Sequence, residues 1–195
     1  EAVRVAMQKK IEDLKAVGAI VEMTSIEEIT YGVSTYYIIA PAEASSNLAR
    51  YDGVRYGLQV PRVADEDVKD RFTKTRSQGF GDEVKRRIIL GNFVLSSGYY
   101  DAYYKKAQKA RIVLADRFVQ EFNKYDYLIT PTSPVLPFKL GENFDDPLKL
   151  YTADLCTIPV NLAGLPAVSI PAGIDGVSGL PVGMQLIGKR FDDGL

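Results

Sequence analysis

The chain has 195 residues, a hydrophobic fraction of 46%, and 24 Lys and Arg against 25 Asp and Glu, the profile of a globular protein of one ordinary domain or two very small ones, long enough to bury roughly 70% of its unfolded surface. A net charge of −1 gives no field for non-specific binding to phosphate backbones. Histidine is absent and Cys156 is the single cysteine, which excludes from these residues Ser-His-Asp and Cys-His catalysis, His-ligated zinc, an intrachain disulfide and a Cys-x-x-Cys metal site.

In chain order, Val5, Leu14 and Val17 among charged residues predict an amphipathic helix closed by Gly18, and the apolar run from Ala19 to Met23 predicts a strand after it. Ser34 to Arg50 predicts a helix with Pro41 as its point of kinking. Tyr51 to Val63, rich in turn formers, predicts a surface loop, and Asp65 a cap for a charged helix running to about Ser77. After Gly79-Phe80-Gly81 two long helices are expected, from Asp82 to about Ser96 and from Tyr99 to about Asn123, joined near Gly98. Tyr99, Tyr103, Ala107, Ala110, Leu114 and Phe118 recur along the second at helical spacing, a core stripe. Strands are expected at Tyr127 to Thr130, Ala167 to Pro171 and Val182 to Ile187, with a turn from Gly173 to Pro181. Helices and strands are mixed and no repeat appears, so residues 1–195 read as a single α/β unit. No apolar run is long enough to cross a bilayer, no signal peptide is recognisable, and the opening Glu1 suggests a piece of a longer protein.

Few residues offer chemistry. Ser96-Ser97-Gly98 and Ser45-Ser46 lack the flanking glycines of a nucleophile turn and read as a helix junction and a helix surface. Gly176-Val177-Ser178-Gly179 reads as a hairpin turn, because no Lys-Ser/Thr pair and no helix follow it. Cys156 reads as a buried small apolar residue rather than a nucleophile. Arg87, before Ile88-Ile89-Leu90, and Asp154, in Leu150-Tyr151-Thr152-Ala153-Asp154-Leu155-Cys156, are charges in apolar surroundings. An arginine fork suits a carboxylate and an aspartate suits an ammonium group, so the two together would clasp an amino acid by both ends. The alternatives are a helix N-terminal charge for Asp154 and a solvated basic face for Lys85-Arg86-Arg87.

The stretch from Tyr36-Tyr37-Ile38-Ile39-Ala40-Pro41 through Ser45-Ser46-Asn47-Leu48-Ala49-Arg50-Tyr51-Asp52-Gly53-Val54-Arg55-Tyr56-Gly57 closely resembles the later half of the A subunits of bacterial glutamyl-tRNA(Gln)/aspartyl-tRNA(Asn) amidotransferases, within the amidase-signature family. Gly79 to Arg87, Ser96 to Lys106 and Ile158-Pro159-Val160-Asn161-Leu162-Ala163-Gly164-Leu165-Pro166 agree, and the resemblance runs from about Val3 to Phe191. It implies an α/β amidase-signature fold, a mixed sheet covered by helices, in a protein that hydrolyses glutamine and passes ammonia to the B subunit. There the misacylated group on tRNA, activated with ATP, is amidated.

The resemblance also implies a Ser–cis-Ser–Lys centre, which needs no histidine. Its Gly-Gly-Ser-Ser-rich segment and upstream lysine are not in this sequence; in the family they precede the part matched here, and the family's last helix follows it. The expectation is therefore a C-terminal fragment without catalytic residues, inactive alone. By resemblance Tyr36, rather than Tyr37, lies near the substrate, Arg87 grips the α-carboxylate of glutamine, and Asp154 receives its α-amino group. The implied partners are the missing N-terminal half, the B and C subunits of the amidotransferase, and tRNA through the complex; ATP and Mg serve the complex, with no cofactor in this chain and no membrane. A bacterial cytoplasm, or an organelle stroma or matrix, is the expected location. Two other readings stay open: part of another amide hydrolase of the family, and a non-catalytic interaction module.

Overall fold

This computed structural model describes residues 1–140 and 152–194, so Leu150-Tyr151 and the terminal Leu195 lie outside the described residues. The helices are α1 (Ala2–Ala16), α2 (Gly32–Leu48), α3 (Val68–Gly79), α4 (Asp82–Leu95), α5 (Lys105–Phe122) and α6 (Ile158–Ala163), with a 3-10 turn over Glu27–Tyr31 and a π-helical turn over Tyr100–Tyr104. The strands are β1 (Leu128–Pro131), β2 (Ala167–Ile174) and β3 (Pro181–Ile187). Where the sequence reads as one α/β unit, the chain divides into two compact units, Glu1–Val33 with Ala110–Leu195, and Ser34–Lys109.

In the first unit β3 lies between β1 and β2 and pairs antiparallel with both. The α/β class agrees with the sequence; the resemblance implies a mixed sheet, and the described pairings are antiparallel. For β2 and β3 the reason is the short turn, which joins only antiparallel neighbours. In that turn the Asp175 carboxylate accepts hydrogen bonds from the Ser178 amide at 2.8 Å and its hydroxyl at 2.6 Å, as a hairpin reading of Gly176 to Gly179 requires.

Alternation along β3 sends Val182 and Met184 to one face, where they form a buried cluster with Val3 and Met7 of α1, joined by Ala6, Leu14, Ile129 and Ile170. The helix is therefore where the charge pattern puts it, with a different inward face: Val5 and Val17 are exposed, while Val3, Met7 and Leu14 share one side. The strand expected at Ala19 to Met23 does not form. Residues 19–26 carry no regular structure, and Ile20 is 93% exposed, since apolar content alone makes no strand without a neighbour to bond. Polar side chains tie the segment down instead: Thr24 donates to Glu121 at 2.7 Å, and Tyr125 to Glu22 at 3.1 Å.

In the second unit α2 forms over the expected span with Pro41 inside it. It buries Thr35, Ile39, Ala42 and Ser45, and its backbone meets α4 at Gly91, where an added Cβ would overlap the Pro41 carbonyl oxygen and lie 2.6 Å from Ser45 Cβ. Asp65 does not cap α3. It sits at φ 63, in the left-handed region, and the N-cap position belongs to Asp67. The loop after α2 is anchored rather than free: Arg76 donates to the carbonyls of Leu48 at 2.9 Å and Tyr51 at 3.0 Å, and Val60 is buried.

Gly98, at φ 88, makes the expected break before α5. The helix does not begin at Tyr99, because a π-helical turn intervenes. Its wider ring shifts the angular phase of the residues before it, so Ala107, Leu114 and Phe118 are buried as expected while Tyr99 and Tyr103 are exposed. Tyr99 packs against Phe93 at a ring-centroid distance of 4.2 Å and against Tyr103 at 5.9 Å.

Candidate functional site

Three arginine and lysine side chains share the first turns of α4, and their contacts separate them. Lys85 pairs with Asp82 at 3.5 Å and Arg86 with Glu83 at 3.0 Å, both short-range pairs on an exposed helix surface. Arg87 turns the other way. Its Nε donates to Glu83 at 2.9 Å and its Nη1 donates to the Tyr36 hydroxyl at 3.3 Å, across 51 residues of sequence. The structure thus brings together two of the three residues singled out by sequence, within one unit.

The Glu83 carboxylate first, and the Tyr36 hydroxyl second, hold the Arg87 guanidinium above its ordinary pKa, against a smaller opposing effect of burial. Arg87 is about two-fifths exposed (38%), and its Nη2 donates to no described residue. A fixed cationic fork with an open pair of donors is the geometry that takes a carboxylate. Tyr36 is itself held by Tyr37, edge to face at a centroid distance of 5.0 Å. Sequence reasoning missed Glu83, although its place one helical turn before Arg87 was the signal for it.

Asp154 belongs to the other unit. It lies exposed in the turn before α6, and its backbone carbonyl accepts from the Thr157 amide at 3.1 Å, the Ile158 amide at 3.0 Å and the Thr157 hydroxyl at 3.2 Å. Its carboxylate meets no donor among the described residues. The N-cap position of α6 is Thr157, so Asp154 stands three residues ahead of the cap rather than on it.

The serines do what their surroundings dictate. Ser45 Oγ donates to Asn92 Oδ1 at 2.8 Å inside the α2–α4 contact, and Ser96 Oγ donates to the Phe93 carbonyl at 2.7 Å at the end of α4. Cys156 is half-buried, and loss of hydration pushes its thiol pKa up, the opposite of an activated nucleophile. Among the described residues no cluster of His, Cys, Asp or Glu could hold a metal, and no helix is long and apolar enough to cross a membrane.

The family model described as Amidase matches residues 1–195. The chain is 56% identical over 192 residues to the A subunit of glutamyl-tRNA(Gln) amidotransferase from Desulforamulus reducens, a match covering 98% of this chain and 39% of that protein. It is 57% identical over 183 residues to the protein of the same name from Parvibaculum lavamentivorans, covering 94% and 36%. The crystal structure of the glutamyl-tRNA(Gln) amidotransferase A subunit from Thermotoga maritima is 44% identical with a TM-score of 0.68, over 98% of this chain and 36% of that one. A crystal structure described as an amidase, 22% identical with a TM-score of 0.68, is alike in fold. The chain therefore spans about two-fifths of the length of the curated relatives it matches.

Proposed function

This chain belongs to the amidase family, and from that premise we propose that it is the glutamine-holding part of the A subunit of a tRNA-dependent amidotransferase. Tyr36 borders the substrate, Arg87 takes the α-carboxylate and Asp154 takes the α-ammonium group. The observation that supports this best is the Arg87–Tyr36 hydrogen bond, in which two residues picked out by sequence meet across two helices. Glu83 keeps the guanidinium aimed until a ligand carboxylate arrives. A simple amide presents neither carboxylate nor ammonium, so the paired assignment favours an amino-acid amide over other amides.

The nucleophile and its lysine come from the part of the protein that precedes the matched stretch in the family. Released ammonia goes to the B subunit, with tRNA and the C subunit completing the complex in the cytoplasm. ATP and Mg2+ serve that complex, and no residue of this chain is assigned to them. The test is steady-state glutaminase kinetics of the complete A subunit in its complex, carrying Arg87→Ala or Asp154→Ala. Each is expected to lower kcat/KM for glutamine about 10- to 150-fold, equivalent to the about 1.5–3 kcal/mol of a hydrogen bond to a charged group, with the protein still folded. Unchanged glutamine kinetics in both variants would remove the clasp, and loss of soluble protein in both would assign the two residues to folding.

A further inference from the structure

We propose that Gln185 is the positioning residue for Asp154, an inference that rests on the reading of Asp154 given above. Gln185 is 5% exposed, a lone amide among apolar residues of β3. Its Nε2 donates to Thr130 Oγ1 at 3.0 Å and to the Cys156 carbonyl at 3.1 Å. A backbone carbonyl only accepts, so the amide face turned toward Cys156 must be the nitrogen, and both of its protons are used. Thr130 is the direct cross-strand neighbour of Gln185 on β1, and Ser169 is its neighbour on β2. The carboxamide is thus fixed on the central strand by two bonds, one to Thr130 of β1 and one to the Cys156 carbonyl.

What it holds is the turn that carries Asp154. Two residues before Cys156, the Asp154 carbonyl is already bonded to the Thr157 and Ile158 amides that open α6. With Gln185 on the Cys156 carbonyl, the turn is fastened at one end by the helix and in its middle by the sheet. An exposed carboxylate without a side-chain partner among the described residues owes its direction to its backbone. Placement within about half an ångström is what a binding group needs, and Gln185 supplies it from beneath without touching the ligand.

The experiment is glutaminase kinetics of the complete A subunit in its amidotransferase complex, with Gln185→Met, Asp154→Asn and the double variant. Methionine keeps the length and volume of glutamine but donates nothing. Gln185→Met is expected to raise KM for glutamine about tenfold, the size of one lost hydrogen bond, with kcat within about twofold of the parent. In the Asp154→Asn background the same substitution is expected to add nothing, because a residue that acts through another is silent once that other is gone. A parental KM in Gln185→Met, an equal factor in both backgrounds, or a loss of kcat alone overturns the proposal. Asp154→Asn measured by itself tells the two failures apart: a parental KM there removes the reading of Asp154, and this inference with it. Should Gln185→Met fail to fold, Thr130→Val frees the carboxamide on one side while keeping its bond to Cys156; a smaller rise in KM supports the proposal, and an unchanged KM overturns it.

Discussion

Arg87 and Cys156 show how far residue identity constrains chemistry before position is known. Arg87 is the last of three consecutive basic residues; its place before Ile88-Ile89-Leu90 singles it out in the sequence, and in the structure the direction of its side chain across to Tyr36 separates it from Lys85 and Arg86. Cys156, the single cysteine, reads from sequence as a small apolar residue rather than a nucleophile, and in the structure it is half-buried, with burial raising its thiol pKa. The sign of the consequence is fixed: a raised folded-state value keeps the protonated thiol, adds stability below the ordinary cysteine range, and loses it as pH rises through the raised value. Alkylation of Cys156 by iodoacetamide at pH 8 is therefore expected to be slower in the folded protein than in the same protein in denaturant. A folded-state rate equal to the denatured one would contradict this.

At the scale of elements, the helices α2 to α5 were readable from their composition and their bounding glycines, while the inward face of α5 was readable only past the π-helical turn, at Ala107, Leu114 and Phe118. The π-helical turn at Tyr100–Tyr104 moves two tyrosines out of the stripe that their spacing assigns them, and hydrophobic periodicity assumes a constant 3.6 residues per turn. The close approach of α2 and α4 has a single-residue cause. Alanine at position 91 gains about 1 kcal/mol in helix propensity over glycine, but its Cβ would overlap the Pro41 carbonyl oxygen, and backbone cannot step aside as a flexible side chain would. Gly91→Ala is expected to destabilise the protein by about 1–3 kcal/mol, read as a lower urea midpoint with an unchanged slope. A variant as stable as the parent would mean that the contact is looser than its geometry states.

At the scale of the whole chain, the buried cluster between α1 and β3 joins helix to sheet. In the first unit Met184, 2% exposed on the central strand, joins β3 to α1 through Val3 and Met7. Met184→Ala is expected to cost about 2–5 kcal/mol, the range for emptying a filled core position, and a loss under 1 kcal/mol in chemical denaturation would place the centre of that core elsewhere. Residue types and their order alone determined the exclusion of histidine and disulfide chemistry, the α/β class, the positions of α4 and the three strands to within a few residues, and the family through long tyrosine-rich blocks, but not the helix α6. These properties follow from composition and short-range pattern, which are written in the chain. Tertiary structure decided which helix face is buried, that Ala19–Met23 forms no strand, that Arg87 meets Tyr36, and that Gln185 fastens the turn bearing Asp154. Each depends on a partner far away in sequence, and the side chain that a residue meets is set by packing between elements rather than by its neighbours along the chain.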